Sequence, residues 1–485
     1  MANPLTALTV TANRRHPQHN KGYDRKKHAY RAGYVRPPAW RLTLDACSQL
    51  PTETEIEPPT PTEPGGDDKP VINEVPVIPP DVEKYEWTVE RVPSGFRKVF
   101  GGTPPVCEAT VDVPSPGTYQ IALTIRKRGG SFLRSAPMLY RLRDALVVSL
   151  GESAASGQGN PDIPGEPTLL GSGQCEITTL SAILDGFGIG VSMDREPTWQ
   201  EPLAYRSYQS GPSRAARALE EPKAGKVVTF LSFASSGAEI ETGLFQPQRD
   251  FQDVGQIEEA RRTVAGRRID ALLLSVGGND VGFGPGLKAL VKDFLGKGQD
   301  ATFAQINTRI DQLPQKYARL AEQIEERLNP RKVFITEYPT AMFDRSDGTP
   351  GGGCGIFDSS FELDISAEDG RRIRDAGRRL NEAIRTAAGR HGWVFVDGIE
   401  AGFAGHGYCS DDSFFVFAED SCRQQGDFEG TMHPTGAGHA VYSRRLVAAL
   451  AKHLFPRGPL VPTTPQAPDD EIVATAKRST SSAIG

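Results

Sequence analysis

Two hydrophobic periods divide the chain. Between about Pro38 and Lys127, "WRLTLDAC", "YEWTVE", "CEATVDV" and "TYQIALTI" alternate apolar and polar residues at period two, the pattern of half-buried strands. "PSPG", Pro114 to Gly117, reads as a turn between two of them. From Asp144 to about Leu454 the pattern changes. Short apolar runs, "ALVVSLG", "VVTFLSFA", "IDALLLSVG", "KVFITEYP" and "GWVFVDG", are separated by stretches such as "YARLAEQIEERL" (Tyr317 to Leu328) and "RRIRDAGRRLNEAIRTAA" (Arg371 to Ala388). These stretches repeat apolar residues at three and four, as helices do. Unbroken apolar runs suit strands buried on both faces. Strand alternating with helix predicts an α/β fold, a three-layer α/β/α sandwich with a parallel sheet. The expected organisation is a β-sandwich over residues 38–128 and an α/β domain over 138–455. In such sheets a site lies beyond the carboxyl ends of the strands.

Composition sets the flanks. "PTETEIEPPTPTEPGGDDKP", from Pro51, is rich in Pro, Thr and acids. It is expected as an extended, mobile insertion over 51–80. Residues 456–485 read the same way. Residues 1–37 form a basic arm, since the first 41 residues hold nine Lys or Arg against Asp24 alone. Such an arm is either a solvated tail or a contact for a membrane surface, an acidic polymer or nucleic acid. It is expected to be flexible. The whole chain has net charge −6, so no global field favours nucleic acid. No run of 18 apolar residues predicts a transmembrane helix, and no apolar h-region of signal-peptide type is visible. Six cysteines permit three disulfides. They point to an extracellular or periplasmic protein, against the missing signal.

Four residue types fall where the strands end. Ser153 follows "ALVVSLG" in "GESAASGQGNPD". Gly237 follows "VVTFLSFA" in "ASSGAEI". Asn279 follows "IDALLLSVG" in "GGNDVGF". His433 precedes Pro434 in "MHPTGAGH", which opens a helical stretch. Singly, each has an ordinary reading: Ser153 as a helix N-cap, Gly237 as a positive-φ position, Asn279 as a turn former. Together they suit acyl transfer. A serine oxygen needs a base, and histidine titrates near neutrality. The tetrahedral oxyanion needs pre-aimed donors, such as a glycine N–H and a side-chain amide.

These blocks, in this order, resemble the SGNH hydrolases, the GDSL-type esterases and lipases. The resemblance covers about 310 residues. It implies Ser153 as nucleophile and His433 as general base. The Ser153 N–H, Gly237 and Asn279 would form the oxyanion hole. It implies no metal and no organic cofactor. The usual Gly-Asp-Ser is Gly151-Glu152-Ser153 here, which leaves the bracing role of the acid open. The usual acid three residues before the histidine is replaced by Gly430. Either a backbone carbonyl near Gly430 orients His433, or Asp427 or Glu429 does. The implied substrate is an acyl ester, a lipid or an O-acetylated glycan. A degenerate binding module is the rival reading. "LDACS", "YEWTVE" and "PSPGTYQIALTI" are similar to PKD-type, immunoglobulin-like modules. That resemblance implies a Cys47–Cys107 bridge between two sheets with Trp87 packed on it, and polymer or cell-surface contact through the sandwich. A Cys409–Cys422 bridge would close a short loop. "PGGGCG" (Pro350 to Gly355) lacks the Lys-Ser/Thr of a phosphate loop. His433 and His439 do not have the spacing of a helical metal pair.

Overall fold

The computed structural model describes residues 8–47, 52–57, 71–76, 80–93, 95–103, 107–168, 175, 191–283, 299–349 and 366–455. The strands that carry the architecture are β1 (Thr9–Ala12), β2 (Trp40–Asp45), β3 (Val82–Val92), β4 (Arg97–Gly102), β5 (Glu108–Val113), β6 (Gly117–Lys127), β7 (Met138–Gly151), β8 (Lys226–Ser232), β9 (Ala271–Ser275), β10 (Val333–Thr336) and β11 (Val394–Val396). The principal helices are α1 (Ser153–Ser156), α2 (Gly211–Ala218), α3 (Gln256–Val264), α4 (Gln299–Arg327), α5 (Ala367–His391) and α6 (Gly436–Leu454).

The apolar runs form the expected parallel sheet, in the order β8-β7-β9-β10-β11. Side chains alternate across it. Leu146, Val148 and Leu150 of β7 and Leu272 and Leu274 of β9 bury against apolar residues of α3, α4 and α5. Ala145, Val147, Ala271 and Leu273 bury on the opposite face, with Ala215, Leu446 and Leu450 of α2 and α6. The fold is therefore an α/β/α sandwich.

The N-terminal sheets are joined to it without a break. β7 is shared: Met138 to Leu142 pair antiparallel with β6, and Arg143 to Gly151 pair parallel with β8 and β9. One long strand thus leaves a β-sandwich and ends at Ser153. The sandwich packs β1-β2-β5 against β3, β6 and the start of β7 through Leu42, Leu44, Trp87, Val89, Val111, Tyr119 and Leu123.

Several expectations are corrected here. Cys47 and Cys107 are bonded, but they follow β2 and precede β5, adjacent strands of one sheet with Asp45 opposite Glu108. The bridge ties two neighbours rather than two sheets, which departs from the immunoglobulin-like arrangement. Cys422 pairs with Cys175, 247 positions away, and not with Cys409, which is itself disulfide-bonded. Within the expected insertion, Thr52–Glu57 and Val71–Pro76 pair antiparallel. Residues 456–485 and Pro350–Gly355 lie outside the described residues.

The arm is not a flexible tail over its described part. Thr9–Ala12 is a sandwich strand, and Tyr23, Tyr30, Tyr34 and Val35 bury in the α/β core. Its charges find partners: Arg14 with Glu220 at 3.7 Å, Arg15 with Asp144 at 3.7 Å, Arg25 with Asp162 at 3.6 Å. His16 stacks on Phe230 and lies 3.0 Å from the Ser213 hydroxyl. Burial, with nearby Arg217, pushes its pKa down to about 3. The arm also covers the free side of β8. The Tyr34 hydroxyl donates to the Phe230 carbonyl and accepts its N–H, both at 3.0 Å. The Tyr30 hydroxyl does the same at Ser232, at 3.2 and 2.6 Å. Two phenols thus substitute for a neighbouring strand on an edge that would otherwise present unpaired main-chain groups.

Candidate active site

Four loops meet at the carboxyl ends of the parallel strands, and each carries one of the residues singled out in the sequence. The first follows β7. Gly151 has φ +142°, and a Cβ there would meet the Ser275 carbonyl at 2.1 Å, so only glycine allows the strand end to pass β9 this closely. Gln256, at the start of α3, holds both main-chain groups of Gly151: its amide oxygen accepts the N–H at 2.8 Å and its amide nitrogen donates to the carbonyl at 2.9 Å. Ser153 then opens α1, a single turn. First-turn N–H groups have no partner within their helix, and the Ser153 N–H has none among the described residues.

Glu152 turns inward and is buried. It accepts the Asn279 N–H at 3.1 Å and the Tyr338 hydroxyl. Burial pushes its carboxyl up to about 8, and the two donors offset only part of that. The glutamate thus braces the Asn279 backbone, a contact that the departure from aspartate had left open.

The second loop follows β8. The Ser235 N–H donates to the Gly151 carbonyl at 3.0 Å, tying it to the first loop. Gly237 has φ +77°, and its N–H has no partner among the described residues. On the third loop, the Asn279 amide nitrogen donates one hydrogen to the Ala238 carbonyl at 3.1 Å, which leaves its second hydrogen free to point elsewhere. Asp280 is buried; it accepts Lys316 at 2.6 Å and the Ile240 N–H at 3.1 Å, so it locks this loop to the second.

The fourth loop carries His433. Residues 414–416 pair with it: Val416 N–H donates to the His433 carbonyl at 2.8 Å and Met432 N–H to the Val416 carbonyl at 2.9 Å. Met432 has φ +67°, a strained conformation for a non-glycine residue. The loop touches the segment that follows Ser153. A Cβ on Gly159 would lie 3.4 Å from that of His433, and Asn160 donates to the Pro434 carbonyl at 2.5 Å. Gln158 spans three loops, donating to the Glu429 carbonyl at 2.6 Å and accepting the Ser236 hydroxyl.

The Asp427 carboxylate is engaged by the Tyr205 hydroxyl at 2.8 Å, the Gln425 amide at 2.6 Å and the Glu429 N–H at 2.9 Å. The Gly430 carbonyl accepts the His433 N–H at 3.1 Å. His439 is buried in α6, where its Nδ1 accepts the Gly211 N–H at 3.2 Å. Burial lowers its pKa to about 3, which fits a structural imidazole. No group of three or more His, Cys, Asp or Glu suited to a metal occurs among the described residues, and none of their helices is long and apolar enough to cross a membrane.

Sequence reading missed Gln158, Gln256 and Tyr338. Residues that brace a block from elsewhere in the chain carry no local signal; the partner of Gln158 lies 271 positions away.

The family described as GDSL-like Lipase/Acylhydrolase matches residues 183–441, which hold Gly237, Asn279 and His433 but not Ser153. Similar solved structures include an extracellular lipase from Streptomyces rimosus, 21% identical with a TM-score of 0.40, covering 64% of this chain and 99% of that one. A phospholipase A1 from Streptomyces albidoflavus NA297 is 20% identical with a TM-score of 0.40 and the same coverage, 64% and 99%. A family two carbohydrate esterase from Clostridium thermocellum is 12% identical with a TM-score of 0.30, covering 92% and 99%. No curated protein matches the chain.

Proposed function

The chain belongs to the GDSL-like lipase/acylhydrolase family, and from that premise we propose that it is a serine ester hydrolase working through an acyl-enzyme on Ser153. One observation carries the reading. The loops bearing Ser153, Gly237, Asn279 and His433 are bonded to one another at the strand ends by Glu152, Gln158 and Asn160, while the Ser153 and Gly237 N–H groups have no partner among the described residues.

In this reading His433 takes the Ser153 hydroxyl proton as the oxygen attacks the ester carbonyl. The oxyanion accepts from the Ser153 N–H, the Gly237 N–H and the second Asn279 amide hydrogen. Collapse breaks the bond to the alcohol oxygen, and His433 returns its proton there. Water then attacks the acyl group with His433 again as base, and the acid leaves. A main-chain carbonyl near Gly430 orients His433. The disulfides support an oxidising, extracellular or periplasmic compartment.

A fluorophosphonate probe tests this against the rival, a degenerate binding module, which has no activated serine. It should label Ser153 in the native chain. Ser153→Ala should lose labelling and nearly all p-nitrophenyl ester turnover, a drop on the order of 10⁶. Near-normal turnover in that variant would end the assignment. A panel of p-nitrophenyl esters and acetylated glycans then separates simple esters and lipids from O-acetyl groups on polysaccharide.

A further inference from the structure

Behind Gly237 lies a group that the proposed mechanism does not use. The Ser236 carbonyl and the Gly237 N–H belong to one peptide unit, and in a trans peptide they point in opposite directions. The N–H has no partner among the described residues. The carbonyl has two. It accepts the Arg249 guanidinium at 2.7 Å and the Gln248 amide at 2.9 Å. Both side chains lie beside the glycine: a Cβ there would stand 2.9 Å from Gln248 Nε2, too close to fit, and 3.8 Å from Arg249 Nη2, in ordinary contact. Gln248 alone would satisfy the carbonyl. The charge is therefore the feature to explain.

Arg249 is half-buried, its Nε is sealed from solvent without a hydrogen-bond partner, and no carboxylate lies within ion-pair distance of it among the described residues. A half-buried cation without an ion-pair partner carries a desolvation cost, so its place against the carbonyl calls for a reason. A charged donor on a peptide oxygen draws electron density from the amide and strengthens its N–H as a donor. Here that N–H is the one proposed to meet the oxyanion.

We infer that Arg249 is a positioning residue of the oxyanion hole: from behind, it orients and polarises the Ser236–Gly237 peptide so that the Gly237 N–H binds the transition state more strongly than the ester carbonyl. This rests on the ester-hydrolase reading above. Arg249 touches no reacting atom; its effect passes through the peptide.

The test uses the full chain, a neutral p-nitrophenyl butyrate and the fluorophosphonate. Arg249→Gln keeps an amide donor and removes the charge. It should lower kcat by about tenfold to a hundredfold, the range of one charge-assisted hydrogen bond, with KM within about twofold. The rate of fluorophosphonate labelling should fall in parallel, since that reaction also builds charge on an oxygen in the hole. Arg249→Lys should recover much of the loss. Equal losses in both variants would mean that Arg249 only packs, and would overturn the inference. So would an unchanged kcat, or a loss confined to KM that grows with anionic esters, which would make Arg249 a substrate contact. Should Arg249→Gln fail to fold, Arg249→Met/Gln248→Arg, which returns a cation from the adjacent position, gives the same split between kcat and KM. A native chain unlabelled at Ser153 would sink the ester-hydrolase reading itself, and this inference with it.

Discussion

The Glu152 carboxylate accepts the main-chain N–H of Asn279 at 3.1 Å, so the residue beside the proposed nucleophile fixes the backbone of a proposed oxyanion donor. The carboxylate's other oxygen takes the Tyr338 hydroxyl, whose oxygen in turn accepts the Gly278 N–H at 3.3 Å. Two loops from different strands thus converge on one buried acid.

That acid should make stability depend on pH. Burial raises its folded pKa from 4.5 to about 8. Between those values the unfolded chain has released the proton and the native chain has kept it, so the native state binds more protons and stability falls as pH rises through the window. Glu152→Gln removes this slope. Denaturation midpoints at pH 5, 6.5 and 8 should show the variant gaining on the native chain as pH rises. Parallel curves would refute the buried, proton-holding acid.

Asn279→Ala should lower kcat by roughly 10²–10³, the usual effect of losing one oxyanion donor. KM should change little, because the amide acts mainly in the transition state. If KM rises while kcat holds, the amide binds substrate instead.

Asp427→Asn and Glu429→Gln should each keep activity within about tenfold if a main-chain carbonyl orients His433. A true third member replaced by its amide costs about 10⁴ in a serine protease. Asp427 has its own three donors, so its loss should appear first in the denaturation midpoint. A thousandfold fall in kcat with the fold intact, in either variant, would restore a triad.

Tyr30→Phe and Tyr34→Phe keep the rings and delete the hydroxyls that serve Ser232 and Phe230. Each should cost about 1–3 kcal/mol, the penalty for leaving buried main-chain groups unpaired. Urea denaturation checks this. A change below about 0.5 kcal/mol in both would show that water satisfies the strand edge in their place.

Much of the fold is legible in local pattern. The strand runs and the four blocks announce themselves because each is a few contiguous residues under a fixed geometric demand. Gly151 must pass Ser275 and Gly237 must adopt positive φ. What is not legible depends on distant partners. Arginines at the N-terminus look solvated until Glu220, Asp144 and Asp162 are known to face them. The order Cys47, Trp87, Cys107 is the same whether the bridge joins two sheets or two neighbouring strands. Cys175 and Cys422 are bonded across 247 positions, and no spacing rule reaches that far. The shared strand β7 hides the junction, because its alternating first half, "MLYRLR", and its unbroken apolar second half, "ALVVSLG", run on as one strand and change partners with no turn between them.

The two tyrosine caps also set an order of assembly. Tyr34 and Tyr30 reach main-chain groups 196 and 202 positions further along. At roughly 5–20 residues per second of synthesis, the arm waits about 10–40 seconds before β8 exists to receive it. The earlier-made segment is thus placed only after the sheet's edge has been formed. From the moment β8 forms until the arm docks, that edge lies open to any other extended chain, so the nascent protein depends on its own N-terminal arm as the first competitor for the strand.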